Sequence, residues 1–218
     1  MQTASHSTSL DRRGKTITTF VVYDAAAELE HLSEGDVLEV VTDEFEAFEP
    51  DIGAWCHATG HVLLASEAIP EGHRFLIEKR TPKVKDTSLA MVISSDGLDQ
   101  LLSPLGFALG AALEGMEVHL YFQGPAVRVL AKGFRPKLHG WARPFSRFAA
   151  SGMAKAGHIP AQDKLRQLRS LGAHICVCGG SMPAFKVRRE DLIFDDLPIV
   201  EYLSFVAVLE DADIQLYV

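Results

Sequence analysis

Two different rhythms of apolar residues divide the chain. Between residues 20 and 32, apolar positions 21, 22, 25, 26, 29 and 32 recur at helical spacing. After Gly35-Asp36, the β-branched run 37–41 (VLEVV) predicts a strand. A second helical pattern covers 45–59, starting near Pro50-Asp51 and stopping at Gly60. Residues 61–65 and 74–79 read as strands joined by a turn at Pro70-Glu71-Gly72. With room for a short strand ahead of the first helix, this order predicts a two-layer α/β sandwich of about 75 residues.

From residue 88 the pattern changes. Residues 89–93 (LAMVI) are a continuous apolar run, as in a strand buried on both faces, and 118–122 read as the next buried strand. A helix rich in small residues spans 98–115, and a basic helix at 161–171 ends at Gly172. Strand 174–178, helix 198–210 and strand 214–218 complete the alternation. Strands alternating with helices predict βαβ units in a parallel-sheet, three-layer α/β domain. The polar stretch 81–87 reads as a linker, so the expected domains are 1–80 and 88–218.

Apolar residues make up 47% of the chain, enough to fill two cores, and no apolar run reaches the 18–20 residues of a membrane span. The polar start MQTASHSTSL carries no secretory signal, and three cysteines fit a reducing, cytoplasmic setting better than a disulfide framework. Charge is divided unevenly. Residues 1–80 hold 15 acids and 6 Lys/Arg, whereas 124–169 hold 10 Lys/Arg and one acid, Asp163. The basic block is expected to be helical and in part loose, either a solvated surface or a dock for an acidic partner or for the chain's own acidic half. Its aromatics follow no stacking pattern, so nucleic acid is not expected as a partner.

The sharpest chemical feature is HICVCGGSMPAF at 174–185. Cys178 falls at the carboxyl end of a strand, where open α/β sheets place their sites. Gly179-Gly180 allows a tight turn, and Ser181 is placed to cap a short helix. Free amides and the dipole of that helix would favour a thiolate. Cys176, two residues back, shares the face of Cys178 and is the candidate accessory thiol. The competing reading is that both are small, buried apolar residues. Cys56, His57 and His61 (CHATGH) invite a metal reading, but Gly60 breaks the helix that would align them. His119 reads as a structural strand residue. No glycine-rich nucleotide fingerprint follows either buried strand. No metal and no cofactor are expected.

The quoted features carry two resemblances. Residues 87–218 resemble the DsrE/DsrF-like (sulfur relay) family through LAMVISSDGLD, the small-residue helix ending in EGMEVHLYF, LRQLRSLGAHICVC, and CGGSM followed by REDLI. The resemblance places Cys178 where that family carries its sulfur-binding cysteine, and it implies a flavodoxin-like fold. The chain departs from the family pattern at Pro183, where an acidic residue is common, and in its basic block, where relatives have a Met-rich segment. Residues 8–80 resemble the TusA/SirA-like fold through SLDRRG, GDVLEVVTD, DIGAWCHATGHVLL and RFLIEK. That family's Cys-Pro-x-Pro hallmark is missing here, because Ile17 and Thr18 occupy the Cys-Pro positions.

Together these imply a cytoplasmic sulfur-trafficking protein, a sulfurtransferase or sulfur carrier, with a persulfide on Cys178 and Cys176 in support. Gly179, Gly180 and Ser181 would contact the sulfur. A sulfur donor or acceptor protein and a homo-oligomer are the implied partners. The alternative is a non-catalytic binding or regulatory two-domain module with a degenerate carrier domain.

Overall fold

In the computed structural model, which describes residues 7–43, 47–81 and 86–218, alternating burial organises the first sheet. Strand β1 (Ser7–Asp11) leads through helix α1 (Thr18–Glu30) to a parallel partner, β2 (Val37–Thr42). Helix α2 (Phe48–Thr59) then precedes the hairpin of β3 (Val62–Ile69) and β4 (Gly72–Glu78). The sheet order is β1-β2-β4-β3. Along β2 every second residue is buried, which packs Leu38 and Val40 with Phe20, Val21, Leu29, Ile52 and Trp55 of the helices. Gly60 ends α2 in a left-handed conformation, as its sequence position predicts. Gly72 has φ 140°, and a Cβ there would stand 2.0 Å from the Thr42 carbonyl oxygen, so the turn admits no side chain. The residue-45 end of the second helical pattern, the polar start at 1–6 and linker residues 82–85 lie outside the described residues.

The chain divides into two compact units. The first is built from residues up to 85 with 113–115 and 156–158, and the second from the remainder. In the sheet of the second unit all strand pairings are parallel, in the order β8-β7-β6-β5-β9. Its elements are β5 (Ser88–Ile93), α3 (Leu98–Leu113), β6 (Glu117–Phe122), α4 (Ser146–Lys155), α5 (Ala161–Ser170), β7 (His174–Cys178), the four-residue α6 (Ser181–Ala184), β8 (Ile199–Val200), α7 (Tyr202–Asp211) and β9 (Ile214–Tyr217). The connections β5-α3-β6 and β6-α5-β7 step one way across the sheet, whereas β8-α7-β9 steps the other way. Right-handed crossovers therefore put α7 on the face opposite α3 and α5, giving three layers.

Two expectations are corrected here. Residues 198–210 are not one helix. Ile199–Val200 pairs with β7, Pro198 and Val200 accept from the amides of Val177 and Gly179, and the helix starts only at Tyr202. A short apolar run reads alike as strand or helix, and the free edge of β7 decides the matter. The first part of the basic block is core rather than surface. Residues 124–130 form a 3-10 segment that buries Ala126, Val127, Val129 and Leu130. A second 3-10 segment covers 140–145 and runs into α4.

Candidate functional site

The site grows from the pleat of β6 and β7. Register pairs His119 with His174 and Tyr121 with Cys176, so His119 and Tyr121 on β6 and His174, Cys176 and Cys178 on β7 form a stripe on one face. Helix α7 covers that face. Phe205 stacks on Tyr121 with ring centroids 4.8 Å apart, and Ala90, Val92, Tyr121, Cys178 and Phe205 form one buried cluster with Cys176 packed against it.

Cys178 ends β7 and is 1% exposed. Its thiol donates to Glu201 Oε2 at 3.8 Å, while Glu201 Oε1 accepts the Gly180 amide at 2.6 Å. The Tyr121 hydroxyl is also buried here, with no partner in hydrogen-bond geometry among the described residues. Burial first, then Cys178 and the Glu201 carboxylate, push its pKa well above the ordinary phenol value.

This arrangement revises the expected role of the turn. The Gly179 amide is held by the Val200 carbonyl and the Gly180 amide by Glu201, so neither is free for a thiolate. Helix α6 has four residues and no side-chain cap. Ser181 is its first residue, not its cap, and its Oγ accepts the Gly124 amide at 2.9 Å. The two glycines serve close approach rather than a left-handed turn. Gly180 has φ −65°, and a Cβ on Gly179 would lie 2.9 Å from Glu201 Oε1 and 3.1 Å from Ile199 Cγ2.

Cys176 shares the face of Cys178 and donates to the Leu120 carbonyl at 3.5 Å, and burial pushes its pKa up to about 12. Cys56 is buried in the first unit and is likewise pushed up to about 12 by burial. His57 is exposed, and His61 Nδ1 accepts the Arg80 amide, so Cys56, His57 and His61 do not converge. Ile17 stands at the N-terminus of α1. Sequence reasoning missed Tyr121 and Glu201. Tyr121 was hidden in an apolar strand, and Glu201 in what read as a helix interior.

Fold and site thus define an α/β protein with a thiol at the carboxyl end of a parallel strand, bonded to a carboxylate and packed in one cluster with a tyrosine ring. The chain belongs to the DsrE/DsrF-like family, whose model matches residues 88–216, and residues 21–79 match the model for sulfurtransferase TusA. Both families are related to sulfur relay. No curated protein matches the chain. Among solved structures, the crystal structure of the ychN protein from E. coli aligns over 61% of this chain and 99% of its own, with 13% identity and a TM-score of 0.43. Among the described residues, no helix is long and apolar enough to cross a membrane.

Proposed function

We propose that the chain is a cytoplasmic sulfur-trafficking protein that carries sulfane sulfur as a persulfide on Cys178. The supporting observation is the grouping of the Cys178 thiol, the Glu201 carboxylate and the buried Tyr121 hydroxyl at the carboxyl end of the sheet. Glu201 accepts the thiol proton, and the Cys178 thiolate attacks the outer sulfur of a donor persulfide, R–S–SH. A new S–S bond forms as the donor S–S bond breaks. The electron pair leaves with R–S⁻, which takes up the proton. The step needs no external oxidant, and its reverse on an acceptor thiol discharges the carrier. Tyr121 is placed to donate to the sulfur anion. Gly179 and Gly180 act by letting Glu201 approach, and Ser181 by pinning the loop at Gly124.

The partners of this reading are a sulfur donor or acceptor protein and a second copy of the chain. Leu203 of α7 is 87% exposed, an apolar side chain that suits subunit contact. The burial of Cys178 favours a second reading, a non-catalytic binding module.

One experiment separates the two. The full chain is incubated with glutathione persulfide and its mass is measured. The carrier gains the mass of one sulfur atom on the Cys178 peptide, and Cys178→Ser gains nothing. No adduct, or an adduct that persists in Cys178→Ser, overturns the proposal.

A further inference from the structure

At the amino ends of β6 and β7, away from Cys178, three side chains converge. Glu117 and His119 are two residues apart on β6, and His174 is the register partner of His119. Glu117 Oε1 lies 3.1 Å from His119 Nε2 and 3.3 Å from His174 Nε2. The two imidazoles stack with centroids 4.7 Å apart and planes 13° from parallel, and all three ligand atoms lie within 4.8 Å of one another.

We infer that Glu117, His119 and His174 form a binding site for a divalent transition-metal ion of the Zn²⁺ class. Bonds of about 2.0–2.1 Å at a tetrahedral ion put ligand atoms roughly 3.3 Å apart. Both carboxylate-to-imidazole separations already have that length. The two ring planes, 13° from parallel, must turn towards a common point and the gap between their nitrogens must close, and His174, whose side chain is 63% exposed, has room to swing. In the metal-free state Glu117 Oε1 stands close to both Nε2 atoms. With the ion bound, each neutral ring carries its proton on Nδ1 and presents the Nε2 lone pair.

Two imidazoles and one carboxylate select borderline ions over Ca²⁺ and Mg²⁺, which require more oxygen ligands. Three protein ligands leave the fourth position open. His119 and His174 line a cavity of about 350 Å³ that Cys176 and Arg169 also line, so this position is available to water or a small ligand. The inference is independent of the sulfur-carrier reading, because it uses no atom of Cys178, Tyr121 or Glu201.

The test is calorimetric titration of the full chain with ZnCl₂ in a non-chelating buffer. One saturable site is expected. Glu117→Gln and His174→Ala should each weaken it by about tenfold or more. Both residues are exposed, so the metal-free melting temperatures should match wild type, and Zn²⁺ should raise the melting temperature of wild type alone. Absence of saturable binding in wild type, or wild-type affinity in both variants, overturns the inference.

Discussion

Replacing Phe205 by Ala should unmask the Cys178 thiol without unfolding the protein. Phe205 is 3% exposed and is the one residue of α7 that is fully buried. Burying a Phe side chain is worth about 1.5–3 kcal/mol, and a stacked aromatic pair adds about 0.5–1.5 kcal/mol. The substitution therefore removes roughly 2–4.5 kcal/mol from the hold of α7 on the sheet. At about 1.4 kcal/mol per tenfold, the population with α7 lifted grows on the order of 30- to 1,000-fold. Thiol labelling at low reagent concentration reads that population when opening and closing outrun the chemistry. Cys178 labelling, located by peptide mass, should accelerate by that factor. Cys56, buried in the first unit, is an internal control for global unfolding. If Cys178 accelerates no more than Cys56, α7 is not the cover and the reasoning fails.

Two further outcomes follow from the site and from the first unit. Gly179→Ala pushes a Cβ against Glu201 and should break its bond to the Gly180 amide, costing about 1.5–3 kcal/mol for a charged hydrogen bond. A melting temperature equal to wild type would contradict this. His61 is buried against Trp55, and burial, then Lys79, lowers its pKa below 6.5. A group whose folded pKa is depressed binds more protons unfolded. Its contribution is therefore complete above pH 6.5 and is lost as the pH falls towards the folded value. Thermal stability should decline with acid below that point, and less steeply in His61→Asn, which keeps an acceptor for the Arg80 amide. Equal slopes in the two proteins would refute the assignment.

How much was legible in the sequence depended on whether a local signal existed. The five consecutive apolar residues at 89–93 declared a strand covered on both faces, and 118–122 repeat that pattern with only His119 interrupting it. Cys178 was legible from its place after a strand and before two glycines. Its surroundings were not. Glu201 reaches the thiol only because β8 pairs with β7, and the pairing of His119 with His174 is set by a register that no short window of sequence contains. The inference of free amides around the thiol failed for the same reason, since the competing acceptors came from 20 or more residues away.

The path of α7 has a mechanical consequence. It joins β8 at one rim of the sheet to β9 at the other, with Glu201 as the only residue before it and residues 212 and 213 after it. Ten helical residues span about 15 Å, against roughly 19 Å for four strand intervals. Such a strap has no slack and cannot swing aside while both ends are tied. The β9 end is stitched by four register pairs and by two further backbone bonds at Val218. The β8 end has two pairs, and one of them is Cys178 with Val200. The tether that yields first is therefore the one knotted at the thiol, so freeing the strap and baring the sulfur are a single event.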